Sequence, residues 1–90
     1  MGRSPTEKPV KLAGKLAQIR KSMGLSQAEM VRTLRLEKSL SREDISKYER
    51  GLRVPPLLTL LKYARAARVS LDVLADDELE LLTKVRSKKR

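Results

Sequence analysis

Between residues 41 and 51 the chain reads SREDISKYERG, a stretch whose polar residues Arg42, Glu43, Ser46, Lys47 and Arg50 alternate with a narrow apolar edge of Ile45 and Tyr48. On a helix, that spacing sends the polar set to the side opposite Ile45 and Tyr48. The set combines cationic groups, a carboxylate and a hydroxyl. These are the donors and acceptors that fit the base edges of a nucleic-acid duplex: Arg or Lys to guanine, Glu to the cytosine amine, Ser to several. Arg50 and Arg53, at the end of the stretch and beyond it, suit phosphate oxygens. The plainer reading of the same charges is a solvated helix face carrying its own ion pairs. Asp44, three residues after Ser41, has the spacing of a helix cap and is assigned to capping.

Whole-chain composition narrows the partners for such a face. Twenty-one Lys and Arg against eleven Asp and Glu give ninety residues a formal charge of +10, which favours a polyanion. Two Tyr are the only aromatics, too few for the stacking platforms that hold single strands, so a duplex is the better fit. The longest apolar run, around VPPLLTLL, is short and starts on proline, so no membrane partner is expected. Without Cys or His, and without a phosphate loop, neither a metal, a cofactor nor an enzyme is expected. The acidic residues Asp72, Asp76, Asp77, Glu78 and Glu80 lack the spacing of a calcium loop and sit where helix starts attract carboxylates. The opening MGRSPTEKP has no apolar core of a secretory signal, and a cytoplasmic location is expected.

The elements that would position the polar face are helices throughout. Leu12, Leu16, Ile19 and Met23 repeat at helical spacing and end at Gly24, a natural helix stop. Ser26 and Glu29 form a capping pair for a second helix that buries Met30 and Leu34 and either ends there or runs into LEKSLS. The third helix spans about 41–50. Prolines in LRVPP break the chain before a fourth helix whose apolar face is expected to be Leu57, Leu60, Leu61 and Ala64. Ser70 is placed as the cap of a fifth helix carrying Leu71 and Leu74, and DDELELLTKV extends it or adds a sixth. The chain therefore divides into a flexible arm at 1–9, a helical domain at 10–75, and a C-terminal helix with a basic tail at 76–90.

Three motifs in this order, GLSQAEM at 24–30, ISKYERGLRVP at 45–55 and VSLDVL at 69–74, resemble the Cro/repressor type of helix-turn-helix domain, the xenobiotic-response-element class. The resemblance covers roughly residues 11–75. It implies an all-α, five-helix repressor-like fold, here with room for an extra C-terminal helix, that binds double-stranded DNA as a homodimer to regulate transcription, in the cytoplasm of a bacterium or phage host at the nucleoid. By the same resemblance, Arg42, Glu43, Ser46 and Lys47 face bases, and Gln27 bonds a phosphate while bracing the third helix. Arg50 and Arg53 serve as further phosphate contacts, and Arg20 and Glu49 form a largely buried salt bridge between helices one and three. Half-sites one helical turn apart, roughly 34 Å, would follow for a dimer on a pseudo-palindromic site acting as a repressor.

The chain departs from that pattern in two places. Leu34 and Ser41 are seven positions apart, whereas the family typically puts about three residues between the last apolar residue of helix two and the cap of helix three, so either helix two is longer or the turn is wider. Pro56 stands where a Ser cap is common. A competing expectation is an antitoxin-like or protein-docking module of the same fold that binds a protein partner through the C-terminal leucines Leu79, Leu81, Leu82 and Val85. No other segment offers an obvious seam.

Overall fold

α1 (Leu12–Ser22) buries Leu12, Leu16 and Ile19 along one edge, the amphipathic spacing read from the sequence. The structure is a computed structural model and describes residues 11–77 together with Leu79. The expected N-terminal arm at 1–9 and most of the expected C-terminal helix and tail, with Leu81, Leu82 and Val85, lie outside the described residues. Gly24 ends α1 at φ 71°, a left-handed conformation that glycine adopts without a Cβ clash, while the Gly24 and Leu25 amides donate to the Lys21 and Arg20 carbonyls.

α2 (Gln27–Thr33) starts on a complete capping box. The Ser26 hydroxyl accepts the Glu29 amide at 3.0 Å, and the Ser26 amide donates to the Glu29 carboxylate at 2.7 Å, which holds that carboxyl below its usual pKa. Of the two possibilities for the insertion, the wider turn is the one present. α2 stops at Thr33 because Arg35 turns left-handed at φ 60°, and the Arg35 and Leu36 amides close back on the Arg32 and Val31 carbonyls. A second turn follows at once, with the Ser39 and Leu40 amides both donating to the Leu36 carbonyl. Leu36 and Leu40 pack against the core, so this eight-residue connection is pinned at two points.

α3 (Arg42–Glu49) is the short polar helix expected, with Ile45 and Tyr48 buried. Gly51 at φ 76° ends it, and the Leu52 amide bonds the Lys47 carbonyl. α4 (Leu57–Ala67) begins after Pro56, which occupies the cap position, just outside the first helical residue. Its buried face differs from the one expected. Thr59, Leu60, Tyr63, Ala64 and Ala67 are turned inward, whereas Leu57 is 66 % exposed and Leu61 only half-buried. Tyr63 and Ala67 complete an equally regular stripe about one residue round the helix, and the bulky ring of Tyr63 fills the centre of the core. Arg68, left-handed at φ 61°, closes α4, and α5 (Leu71–Ala75) adds fully buried Leu74. Ser70 stands at the cap of α5, but its hydroxyl makes no capping hydrogen bond, contrary to expectation.

Among the described residues the chain is all-helical, with no strand. The five helices share one core in which Leu16, Ile19, Met30, Ile45, Tyr48, Tyr63 and Leu74 are the large, fully buried side chains. The aliphatic and methionine side chains among them each contribute on the order of 1.5 to 3 kcal/mol of apolar burial, whereas the Tyr48 and Tyr63 hydroxyls are buried without a hydrogen-bond partner among the described residues. Two polar residues join this core, Thr59 and Lys15; Lys15, 5 % exposed, donates to the Val73 and Asp76 carbonyls at 2.6 and 2.9 Å and so ties the end of α5 to α1. The Asp77 carboxylate accepts the Lys11 amide at 3.0 Å and adds a second tie. α1 and α2 pack against α3 and leave its outer side uncovered, while α5 packs on α1 and α4.

Candidate nucleic-acid interface

The position of α3 is fixed from its inner side. Ile45 and Tyr48 anchor it in the core, and Glu49 reaches across to α1, where Arg20 grips it at two points: Nε to Oε2 at 2.7 Å and Nη2 to Oε1 at 2.9 Å. The Glu49 and Arg20 side chains are only 7 % and 14 % exposed. The hydrogen bond to Glu49 raises the Arg20 pKa against the opposing effect of burial, so the guanidinium stays charged. Its remaining Nη1 donates to the Leu25 carbonyl at 2.9 Å, which fastens the α1–α2 turn to the same point. Gln27, the first residue of α2, joins the cluster by donating Nε2 to Glu49 Oε1 at 3.2 Å. Three elements therefore meet on one carboxylate.

The N-terminal cap fixes the other end of α3. The Ser41 amide donates to Asp44 Oδ2 at 2.9 Å, and Arg53 Nη1 donates to Asp44 Oδ1 at 3.1 Å. The Ser41 amide is the main cause that holds the Asp44 carboxyl below its usual pKa, with the Ser41 hydroxyl, Arg53 and Lys47 adding to it against the cost of partial burial. Arg53 also lies over the Tyr48 ring, with its Cζ 5.9 Å from the ring centroid, a cation–π distance.

What remains free is the outer face. Gln27, Arg42, Glu43, Ser46 and Arg50 line one open polar cleft of ≈ 120 Å³. Within it Arg50 Nε donates to Ser46 Oγ at 3.1 Å, while no hydrogen bond or ion pair among the described residues engages the side chains of Arg42 or Glu43. Of the residues singled out in the sequence, those five are brought together. Lys47 lies half-buried beside Asp44, and Arg53 is turned back onto Asp44 and Tyr48, so neither lines the cleft. Unpaired Arg42 and Glu43, beside the Ser46 hydroxyl on a rigid helix, can match the edges of bases, and Gln27 and Arg50 at the margins can meet phosphates.

Two features were not foreseen. Lys15 falls outside the apolar spacing of Leu12, Leu16, Ile19 and Met23, and only the fold reveals the carbonyls it satisfies. Exposed apolar side chains, Leu52, Val54, Leu57 and Leu58, stand in the stretch that leads from the end of α3 into α4, with Leu57 and Leu58 66 % and 70 % exposed. The signal for them was the double leucine after Pro56: the buried stripe of α4 runs through Thr59, Leu60, Tyr63, Ala64 and Ala67 and leaves Leu57 and Leu58 outside it.

No described helix is long and apolar enough to cross a membrane, and no group of His, Asp or Glu among the described residues could hold a metal ion. No curated protein and no solved structure matches the chain. A family model described as Helix-turn-helix matches residues 16–74, which takes in α2, α3 and α4 and most of α1 and α5. That family comprises DNA-binding regulatory domains and is not an enzyme family. Over most of its length, and through the helices that build the interface, the chain belongs to the helix-turn-helix family of the Cro/repressor, xenobiotic-response-element type.

Proposed function

We propose that the protein is a sequence-specific repressor that binds a pseudo-palindromic duplex as a homodimer, with α3 of each subunit in the major groove. The observation that carries this reading is the division of α3: its inner side is locked by Ile45, Tyr48 and Glu49, and its outer side opens Arg42, Glu43, Ser46 and Arg50 onto one cleft with Gln27. Arg42, Glu43, Ser46 and Lys47 read bases. Gln27, Arg50 and Arg53 hold phosphates, Arg53 by swinging its exposed guanidinium off Asp44 or by using its remaining N–H groups. The protein works in the cytoplasm at the nucleoid of a bacterium or a phage host.

The homodimer draws support from the stretch with exposed Leu52, Val54, Leu57 and Leu58, a better-placed seam than the C-terminal leucines because it adjoins α3. Burying it between two copies removes apolar surface from water on both. The second reading, an antitoxin-like or docking module, would use exposed Leu79 and the residues after it.

Selection from a random duplex library, followed by titration of the winner and a scrambled control at two salt concentrations, tests the proposal. A palindromic winner preferred by about a thousandfold or more supports a dimeric specific regulator. Equal, salt-sensitive binding to both duplexes would leave only a nonspecific grip from the +10 charge. Leu58→Asp, measured by sedimentation, is expected to shift the protein to monomers and to remove the preference for paired half-sites over a single one. A variant that sedimented like the parent would move the seam elsewhere.

A further inference from the structure

α3 carries three acidic residues beyond its N-terminal Arg42, and two of them are fully engaged. Asp44 is held by Ser41 and Arg53, and Glu49 by Arg20 and Gln27. Glu43 has no such partner, although Lys47 stands four residues further on, the favourable spacing for a helical ion pair. It lines the polar cleft beside equally unpartnered Arg42. A carboxylate that faces a phosphate-lined groove is repelled unless it accepts a hydrogen bond there. In the major groove only adenine N6 and cytosine N4 donate one, and on adenine the neighbouring N7 acceptor opposes the second carboxylate oxygen. Cytosine presents its amine with no acceptor of its own beside it, while the Arg42 fork fits guanine O6 and N7.

We infer that Arg42 and Glu43 together select G·C pairs, with Glu43 accepting the groove-side N4–H of one cytosine in each half-site, so that a methyl group on that nitrogen blocks binding. The inference rests on the proposed insertion of α3 into the groove. Methylation of N4 replaces the hydrogen that points into the groove, so the carboxylate loses its donor and meets a methyl group instead.

The test uses the full chain and the selected duplex, with N4-methylcytosine placed singly at each cytosine of a half-site. One position is expected at which the methyl group lowers affinity about tenfold to a hundredfold. Glu43→Ala should bind the methylated and plain duplexes equally at that position. Glu43→Gln should change the preferred base there from cytosine to adenine, whose N6 and N7 an amide matches. Glu43 is exposed, so both variants should unfold with the parent, which separates lost recognition from lost fold. Indifference of the parent to methylation at every cytosine, a selected site without cytosine, or methyl sensitivity retained by Glu43→Ala would each overturn the inference while leaving specific binding intact. A parent with no preferred duplex would overturn the insertion of α3 as well.

Discussion

The inner and outer sides of α3 hold similar residue types in opposite states. On the inner side, Glu49 accepts from Arg20 at two points and from Gln27, and Arg20 uses its remaining group on the Leu25 carbonyl. On the outer side, Arg42 and Glu43 are also a cation and a carboxylate, yet neither has a partner among the described residues. An ion pair under 15 % exposed on both sides fixes geometry, whereas an exposed, unpaired one keeps its hydrogen bonds for something else. Locked and unengaged charges are therefore separated across the width of one helix.

The comparison breaks most visibly on the inner side. Glu49→Ala leaves the Arg20 guanidinium buried without a counter-charge and is expected to lower stability by about 3 to 5 kcal/mol in urea unfolding. Replacing both partners, Arg20→Met with Glu49→Leu, should cost much less, since no charge is then stranded. If the single and double variants were equally unstable, the pair would matter through packing and not charge. On the outer side the fold should not change. Arg42→Ala is expected to relax preference at one base pair by about 1 to 3 kcal/mol, and Arg53→Ala to weaken all duplexes alike with a shallower salt dependence. Titration of single-base variants of the selected site would separate the two behaviours, and a base-specific loss from Arg53→Ala would move it to the reading face.

Helix order, the caps at Ser26 and Ser41, and the polar side of α3 were legible because each depends on neighbours within about four residues, the reach of helical periodicity. The Arg20 and Glu49 contact is 29 residues apart and came from the family resemblance, not from spacing. The buried side of α4 was misplaced because Leu57/Leu60/Leu61/Ala64 and Leu60/Tyr63/Ala64/Ala67 are both regular stripes, and only tertiary packing chooses between them. The Lys15 contact to α5 was invisible for a related reason: its acceptors are backbone carbonyls, which leave no mark on residue type. The width of the α2–α3 turn depended on Arg35 adopting a left-handed conformation, which arginine rarely signals.

That conformation gives a smaller effect, away from both sides of α3. Among the described residues four turns close on a left-handed residue; glycine fills two, Gly24 and Gly51, and arginine the others, Arg35 and Arg68. Both arginines are exposed and have no partner among the described residues, so the strain at their Cβ is not offset by a contact. Arg35→Gly and Arg68→Gly are each expected to raise stability by about 0.5 to 1 kcal/mol, after allowing for the greater freedom of glycine in the unfolded chain. Neither should alter the preferred base sequence. If Arg35→Gly changed it, the wide turn would belong to the reading surface and the recognition side would extend beyond α3.

The smallest expected effect tests the cap that joins the two sides. Asp44 sits in the first turn of α3, and donation by the Ser41 amide, helped by Arg53 and Lys47, holds its carboxyl below the usual value near 3.8. The unfolded chain therefore takes up the proton more readily than the folded one. The stabilisation is complete above the unfolded pKa and is lost as pH falls through the lower folded value. Asp44→Asn should thus flatten the acid limb of stability below about pH 4 while leaving the dependence above pH 6 unchanged. The capping box of α2 persists as a background of the same sign, because Glu29 is also held low. An acid limb as steep in the variant as in the parent would place the acid sensitivity at Glu29, and the cap of α3 would then hold through the backbone alone.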